Sequence, residues 1–388
     1  MEDKYLQRGV SAGKEEVHAA VRSLDQGLYP DAFCKIYPDW LGGDAEWCNV
    51  MSSDGCGTKS VLAYLYWRET GDLSVWRGIA QDALVMNLDD LVCVGATNRF
   101  LLTSIINRNK RLIPGEVIAE IISGTQAFTD TMRRFGVDIL LTGGETADLG
   151  DVVRTVMVDA SMAVRMRQSD LILTKRICPG DVIVGLASYG RAVYENEYNS
   201  GISSNGLTNA RHDLLSKRYA AQYPETYDPS LNSDVVYTGS KGLLDPLPGT
   251  PLTIGKALLS PTRTFAPVVK KILQELPGKI HGIINCTGGA HSKVLHYIAG
   301  LRVVKNNLLP VPPLFEWIQR ESATPWSEMY KVLNCGTRME IYTDAAHADA
   351  AIMIAKEFNV DAQVIGYVEE AREKEVLLRT PQGEFTYH

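Results

Sequence analysis

The sequence predicts an α/β or α+β fold in two domains. Strand-like and helix-like segments alternate along the chain, which is typical of sheets covered by helices and not of a helical bundle or an all-β sandwich. The chain has 388 residues, of which 45% are hydrophobic and 22% charged, and this length suffices for two ordinary cores. A polar stretch at 167–179 separates two halves of similar character. We therefore place the domains at 1–170 and 171–388.

The first half contains both kinds of segment, separated by glycines. Apolar residues such as Leu84, Leu88 and Leu91 recur at helical spacing in one of the long segments. The predicted elements are a strand at 50–53, a turn at 54–57, helices at 60–69, 78–95 and 114–135, and strands at 137–142 and 152–166.

The second half opens with a strand-like run at 181–188 and continues to alternate as far as Gly366. The stretch at 219–251 is rich in Tyr, Pro, Ser, Asp and Gly. Such a composition between periodic segments is typical of a loop, so we predict a long surface insertion there.

Charge and composition favour small-molecule ligands. The formal net charge of -7 provides no basic surface for nucleic acid or for an anionic membrane. We find neither a signal peptide nor a run of about 18 apolar residues that would span a membrane. The seven cysteines are scattered without a C-x-x-C pair that would suggest zinc or a redox couple. We therefore expect a cytoplasmic protein in a reducing compartment.

The run Asp54-Gly55-Cys56-Gly57-Thr58-Lys59 is the sharpest local motif. Gly55 and Gly57 would let backbone N–H groups approach an anion, and Lys59 would add a positive charge. A nucleotide phosphate would suit this arrangement, although the spacing is not that of a Walker A motif. A plain strand-to-helix turn with an exposed lysine is the alternative.

Three aspartates lie on the helix predicted at 78–95. Asp82 and Asp89 are seven residues apart, which returns their carboxylates to nearly the same face, and Asp90 is adjacent. Clustered carboxylates beside a phosphate loop would hold Mg²⁺. A solvated acidic face is the alternative.

The run Gly143-Gly144-Glu145-Thr146 follows an apolar strand. Ligands in open α/β sheets bind at the carboxyl ends of strands, so these backbone donors, the carboxylate and the hydroxyl could contact a ligand. A turn with a capping glutamate is the alternative.

Two glycine-rich runs in the second half could each cradle a phosphate through backbone N–H groups, or could be loops only. They are Ser203-Ser204-Asn205-Gly206 and Thr287-Gly288-Gly289. His281 and Asn285 share one face of the strand before Thr287 by period-two alternation. We interpret His281 as a hydrogen-bonded structural residue, since that is the commoner role of a lone histidine in a strand.

Taken in order, the motifs resemble the phosphoribosylformylglycinamidine cyclo-ligase family, also called aminoimidazole ribonucleotide synthetases. The resemblance covers nearly the whole chain. Its motifs are Y-L-Q-R-G-V at 5–10, D-G-C-G-T-K at 54–59, D-D-L-V-C-V-G-A at 89–96, G-G-E-T-A at 143–147, P-G-D-V-I-V-G-L at 179–186, S-N-G-L at 204–207, L-S-P-T-R at 259–263, T-G-G-A at 287–290 and M-Y-K-V-L-N-C-G at 329–336.

The resemblance implies two domains, each a mixed β-sheet backed by helices, with the N-terminal domains pairing into a barrel in a homodimer. It implies ATP-dependent closure of an imidazole ring in purine biosynthesis, on formylglycinamidine ribonucleotide, with ATP and Mg²⁺ in the N-terminal domain. The implied catalytic residues are Lys59, Asp54 and Glu145; the implied nucleotide contacts are Gly55, Gly57, Thr58, Asp89, Gly143, Gly144 and Thr146. The implied metal ligands are Asp54, Asp82, Asp89 and Asp90, and the implied substrate contacts are Ser204, Asn205, Gly206, Thr287, Gly288 and Gly289.

Several positions depart from the family pattern. A lysine and an aspartate expected near the N-terminus are Leu6 and Gln7 here, and a histidine expected before T-G-G is Asn285. The stretch at 219–251 has no counterpart in the family. A related ATP-dependent kinase or dehydratase of the same superfamily, such as thiamine-monophosphate kinase, and a non-catalytic nucleotide-binding subunit are the alternatives.

Overall fold

Two β-sheets covered by helices form the framework of the chain, which confirms the predicted α/β class with two sheet-containing units. The computed structural model describes residues 4–10, 20–21 and 23–388. The first predicted domain therefore begins in a segment of which residues 1–3, 11–19 and 22 lie outside this description.

The strands divide between the sheets in chain order. The first sheet contains β1 (Ile36–Pro38), β2 (Trp47–Gly55), β3 (Phe100–Arg108), β4 (Ile139–Asp148) and β5 (Val156–Arg167). The second contains β6 (Val182–Ala187), β9 (Ile280–Asn285), β10 (Leu301–Lys305), β11 (Thr337–Thr343), β12 (Ala362–Glu370), β13 (Glu375–Thr380) and β14 (Gly383–Tyr387), while β7 (Tyr189–Gly190) and β8 (Asn199–Ser200) form a small separate pair.

The described helices are α1 (Lys4–Gln7), α2 (Lys59–Thr70), α3 (Val75–Cys93), α4 (Gly115–Arg134), α5 (Leu207–Leu214), α6 (Arg218–Gln222), α7 (Ile254–Leu258), α8 (Ala266–Glu275), α9 (Pro313–Ser322), α10 (Trp326–Val332) and α11 (Ala345–Glu357). Several of them match the predicted helices closely. The segments predicted at 60–69, 78–95 and 114–135 correspond to α2, α3 and α4.

The first sheet has the order β1-β2-β5-β3-β4 and is mixed, since β3 and β4 are parallel and the other pairs antiparallel. One face packs on α3, where alternate residues such as Val158 and Met162 are buried. The other face is open and exposes apolar side chains. Those exposed by 40% or more are Met51, Leu101, Ile105, Leu140 and Met157.

The second sheet has the order β14-β13-β10-β12-β6-β11-β9. Strand β11 is antiparallel to both β6 and β9, so β6 and β9 run in the same direction. The Thr287-Gly288-Gly289 run follows the carboxyl end of β9, where Asn285 contacts Asp90 of the first half. The amino end of β9 points away from that contact.

Helix α3 is the central element between the halves. Most of its residues are buried, and it contacts β2, β5 and β9. A helix that is apolar around its whole circumference belongs in a core. The polar residues it carries there, Asp82, Asn87 and Asp89, are completely buried and must therefore find partners.

Two segments differ from the predictions. The strand predicted at 137–142 continues as β4 to Asp148, so Gly143–Thr146 lies within a strand and not in a turn after it. The predicted surface insertion at 219–251 is partly buried, since Tyr219 and Tyr237 are 0% exposed. Its Glu225 accepts a hydrogen bond from Tyr64 of α2 at 2.5 Å.

Among the described residues, no helix combines the length and the apolar character that crossing a membrane requires.

Candidate active site

The D-G-C-G-T-K motif forms the turn from β2 to α2. Gly57 has a positive φ of 55°, which glycine adopts without strain. A Cβ on Gly55 would overlap Asp159 Oδ1, so the absence of a side chain there lets that carboxylate approach the backbone. Asp54 itself is exposed, and its Oδ1 accepts a hydrogen bond from Gly55 N at 2.7 Å. The motif thus places the exposed carboxylate of Asp54 at the start of the turn.

Lys59 does not face a cleft, contrary to the prediction that it contacts phosphates. Its side chain is 0% exposed, and Nζ donates to Asp82 Oδ1 at 2.8 Å and to Ser260 O at 2.5 Å. Burial lowers the pKa of Lys59, and the negative charge of Asp82 opposes that effect. The lysine is therefore half of a buried ion pair in this structure.

Asp82 is likewise removed from the predicted metal site. Besides Lys59, its Oδ1 accepts hydrogen bonds from Thr262 N at 2.7 Å and from Thr262 Oγ1 at 2.5 Å. The carboxylate is 0% exposed. Its role is to hold the 260–262 segment of the second half against α3.

Asp89 also has a structural partner. Its Oδ2 accepts a hydrogen bond from Arg338 at 3.0 Å, and its Oδ1 accepts one from Thr264 Oγ1 at 2.6 Å. Burial raises the pKa of Asp89, while the Arg338 charge and the hydrogen bonds act against this rise. With both oxygens hydrogen-bonded and no exposure, Asp89 is not accessible to a nucleotide or a metal ion in this structure.

Asp90 is the helix carboxylate that remains available. Its Oδ1 accepts a hydrogen bond from Asn285 Nδ2 at 2.9 Å, and the residue is partly exposed. Burial raises its pKa to about 6, Lys293 and Asn285 lower it, and the negative charge of Asp54 adds to the rise. Asp54 and Asp90 therefore lie close enough for their charges to interact.

Asp159 is a further carboxylate beside Asp54, which the sequence did not indicate. It lies on β5 opposite Gly55, and burial followed by the charge of Asp54 raises its pKa. Period-two alternation in β5 puts it on the open face of the sheet, next to the D-G-C-G-T-K turn. That alternation was visible in the sequence, but the pairing with Gly55 was not.

Gly143 and Gly144 have a local structural role in β4. Thr142 is an extra residue where the pairing with β3 shifts, and Gly143 has a φ of 132° beside it. A Cβ on Gly144 would overlap Ser104 O. Both glycines are thus required by strand pairing, and the prediction that they bind phosphate has no support in this geometry.

Glu145 and Thr146 are exposed on β4, which is an edge strand. Glu145 pairs with Ile105, and Ile105 pairs with Asp159. Glu145 therefore lies in the same row as Asp159 on the open face, two strand spacings or about 10 Å away. One nucleotide is long enough to span that distance.

Both glycine-rich runs of the second half reach the Asp54 turn. A Cβ on Gly57 would lie 3.7 Å from Ser204 O, and Thr58 Oγ1 is 2.9 Å from Thr208 Oγ1. A Cβ on Gly288 would lie 4.0 Å from Asn205 Nδ2. The S-N-G and T-G-G runs therefore meet each other and the first half at one cleft.

Polar atoms without partners line this cleft. Ser204 Oγ and Asn205 Oδ1 are buried and have no hydrogen-bond partner, although buried polar atoms are rarely left unpaired. Gly206 and Gly289 have φ values of 73° and 91°, as expected for loops that expose backbone groups. A polar ligand would satisfy the two side-chain atoms.

Lys293 supplies a partly exposed cation at the cleft and was also missed. It lies beside Gly289, whose added Cβ would be 3.4 Å from Lys293 Cα, and its charge lowers the pKa of Asp90. Nothing in the local sequence distinguishes it from a surface lysine. Its position, and not that of Lys59, suits an anionic group.

A cavity of about 400 Å³ lies elsewhere, between α3, α4 and the 194–199 segment, and is lined by Arg77, Gln81, Phe128, Tyr194 and Lys256 among others. None of the cleft residues lines it. We place the site at the cleft because that is where carboxylates, glycine loops and unpaired polar atoms converge.

Two family models match most of the first sheet and most of the second. Residues 34–164 match the AIR synthase related protein, N-terminal domain, and residues 252–379 match the AIR synthase related protein, C-terminal domain.

Curated proteins named phosphoribosylformylglycinamidine cyclo-ligase are similar over most of the chain. The protein from Methanocaldococcus jannaschii is 26% identical over 325 residues, which is 84% of this chain and 79% of that protein. The protein from Staphylococcus carnosus is 28% identical over 334 residues, covering 85% and 82%.

Solved structures share the fold. A chain of a HypE–HypF complex superposes with a TM-score of 0.55 at 17% identity, covering 97% of this chain and 98% of that one. PurL of T. maritima complexed with ADP gives a TM-score of 0.50 at 14% identity, and the match covers 93% of this chain but only 45% of PurL. These likenesses concern architecture alone.

Proposed function

The chain belongs to the AIR synthase related family, and we propose that it converts formylglycinamidine ribonucleotide and ATP to aminoimidazole ribonucleotide, ADP and phosphate. Relatives named phosphoribosylformylglycinamidine cyclo-ligase cover most of its length. The observation that carries the proposal is the cleft itself, where Asn285 donates a hydrogen bond to Asp90 and the turn at Gly57 lies against Ser204. A carboxylate cluster opposite two phosphate-cradling loops suits a phosphoryl transfer onto a ribonucleotide.

The reaction needs ATP because a formyl amide oxygen is a poor leaving group. The oxygen attacks the γ-phosphorus and ADP leaves, which gives an iminophosphate. The amidine nitrogen then attacks the formyl carbon, the bond between that carbon and its oxygen breaks, and phosphate leaves with the former formyl oxygen. Such a sequence depends mainly on positioning and on stabilising negative charge.

The carboxylates Asp54, Asp90 and Asp159 would hold Mg²⁺, which prefers oxygen ligands and shares them with phosphates. Their fit is supported by the raised pKa values of Asp90 and Asp159, each caused by burial and by the negative charge of Asp54. A divalent cation would neutralise that concentration of charge. When bound, it would offset the charge of the ATP phosphates during transfer.

The ribonucleotide phosphate would bind at the loops of the second half. The backbone N–H groups of Gly288 and Gly289 are donors at a turn, and Ser204 Oγ is a buried donor without a partner. Lys293 adds the positive charge. Asn205 Oδ1, an acceptor without a partner, would receive a hydrogen bond from a ribose hydroxyl or from the amidine.

Asn285 positions Asp90 through its amide, because Nδ2 donates to Asp90 Oδ1 at 2.9 Å. An amide cannot serve as a proton acceptor at neutral pH. The family's histidine at this position is therefore replaced by a group that orients a carboxylate, and no general-base step is assigned to it.

We further propose a homodimer formed through the open face of the first sheet. Met51, Leu101 and Leu140 are exposed by 61%, 45% and 60%, and a contiguous apolar face of this kind is typical of an interface. Pairing two such faces would produce a closed barrel. Glu145 shares the face, so the nucleotide would lie near the dimer contact.

The test is phosphate release from ATP and Mg²⁺ by the purified protein, with and without formylglycinamidine ribonucleotide, while the aminoimidazole is followed by diazo coupling. We expect stoichiometric product and phosphate, and their loss in Asp90→Asn. ATP hydrolysis with another acceptor would indicate a different enzyme of the superfamily, and nucleotide binding without turnover would indicate a binding subunit.

A further inference from the structure

Cys178, Asp181 and His281 form a cluster far from the cleft. One potential ligand atom from each lies within 4.8 Å of the others. His281 precedes Asn285 by four residues of extended strand, or about 13 Å, and so lies near the opposite end of β9. The carboxylate cluster of the proposed active site therefore does not extend to these residues.

Sheet topology brings the three side chains together. Asp181 directly precedes β6, His281 is near the start of β9, and Thr343 at the end of β11 pairs with both Val182 and Ile280. The pairing of β11 with β9 shifts at this point, because Tyr342 pairs with Gly282 and Thr343 with Ile280, which leaves His281 as an extra residue. Such bulges redirect a side chain, here toward Asp181.

The distances suit a tetrahedral transition metal. Zinc bonds of about 2.0–2.3 Å at tetrahedral angles separate neighbouring ligand atoms by about 3.3–3.5 Å. Asp181 Oδ1 is 2.8 Å from His281 Nδ1 and 3.6 Å from Cys178 Sγ. The remaining pair, Cys178 and His281, lies within 4.8 Å, so small side-chain movements would admit the ion.

The cluster is open to solvent on one side, which provides an entry path. Asp344 Oδ2 lies 3.9 Å from His281 Nε2, on the side of the ring away from Asp181, and its side chain is 58% exposed. Water is therefore the fourth ligand. Cys178 is exposed, whereas Asp181 is only 1% exposed and fixed by Cys178 N at 3.0 Å. One side of the cluster is thus preorganised and the other is open to solvent.

We propose that Cys178, Asp181 and His281, with water as the fourth ligand, bind one Zn²⁺ ion that ties the start of β6 to the start of β9. The mixture of thiolate, imidazole and carboxylate favours zinc over Mg²⁺, which takes oxygen ligands. The sequence did not indicate this site, because its ligands do not include a C-x-x-C pair and His281 is distant in the chain.

The test uses Co²⁺ as a spectroscopic probe on the full chain, after chelator treatment and with Mg²⁺ in excess to occupy sites made of oxygen alone. We expect one equivalent of Co²⁺ to produce a thiolate-to-cobalt charge-transfer band and the intense visible bands of a tetrahedral ion, and Zn²⁺ to abolish both. Bound zinc should also raise the thermal unfolding midpoint.

Cys178→Ser should remove the charge-transfer band, and His281→Ala should weaken zinc binding at least about tenfold, since even the loss of a supporting group around a metal costs that much. His296→Ala, at an exposed histidine elsewhere in the second half, is the matched control and should bind like the wild type. Absence of the charge-transfer band, or an unchanged band in Cys178→Ser, would overturn the proposal.

Discussion

Arg338 Nη1 lies 3.0 Å from Asp89 Oδ2, so a strand of the second sheet is ion-paired to the helix behind the first. Two other aspartates of α3 accept hydrogen bonds from residues of the second half. Asp82 accepts hydrogen bonds from Thr262, and Asp90 accepts one from Asn285. Helix α3 therefore fixes the relative position of the two halves and, with it, the width of the cleft.

The Lys59–Asp82 pair should contribute to stability more than to nucleotide binding. Lys59→Met leaves a buried carboxylate without its cation, which typically costs about 3–5 kcal/mol. Urea unfolding should show this loss, and Lys59→Met combined with Asp82→Asn should recover part of it. Unchanged stability accompanied by a raised KM for ATP would instead place the ammonium at the phosphates.

The activity should fall as the pH drops through about 6. Burial raises the pKa of Asp90 to about 6, and the protonated acid cannot hold a cation, so Mg²⁺ binding and kcat/KM should be full above that pH and lost below it. Lys293 lowers this pKa, so Lys293→Gln should move the acid limb to higher pH. Lys356→Gln, on the exposed side of α11, should leave the limb in place, and an equal shift in both variants would contradict the assignment.

Asp159 should contribute to metal binding although no motif marks it. Asp159→Asn should raise the Mg²⁺ concentration for half-maximal activity by about tenfold or more, a cost in the range seen for groups around metal sites. Asp170→Asn, an exposed carboxylate outside the cleft, is the control for net charge. Titration of the activity with Mg²⁺ at fixed ATP gives the comparison, and identical curves for Asp159→Asn and the wild type would exclude the residue.

The open face of the first sheet should hold the proposed dimer together. Leu101→Glu places a charge in the apolar face and should convert the dimer to a monomer in size-exclusion chromatography with light scattering. Met353→Glu, which alters a side chain exposed by 61% on α11, should leave the mass unchanged. A wild-type chain that is monomeric at micromolar concentration would contradict the interface.

The sequence predicted the elements better than their surroundings. The periodicity of 78–95 identified α3 to within a few residues. The glycine runs at 204–206 and 287–289 were each interpreted separately as a candidate phosphate loop, and the structure brings them together at one cleft. The partners of α3 could not be foreseen, because Thr262 is 180 residues from Asp82 and Arg338 is 249 residues from Asp89. Helical spacing correctly put two carboxylates on one face, but only packing decides whether that face meets solvent or the second sheet.

Glycine motifs were similarly ambiguous. At Gly57 the positive φ belongs to a turn that opens on the cleft, whereas Gly143 and Gly144 accommodate an irregular strand pairing. The two kinds of glycine cannot be told apart in the sequence, since glycine permits close approach of the backbone both in a turn and in a strand.

Following the formyl oxygen is the most direct test of the proposed cyclisation. Formylglycinamidine ribonucleotide carrying ¹⁸O in its formyl group would be converted with ATP and Mg²⁺, and the released phosphate analysed by mass spectrometry. If the oxygen is phosphorylated before ring closure, the label appears in phosphate in equal amount to the aminoimidazole, and Asp90→Asn forms neither. Unlabelled phosphate, or phosphate released without the aminoimidazole, would contradict the proposed cyclisation.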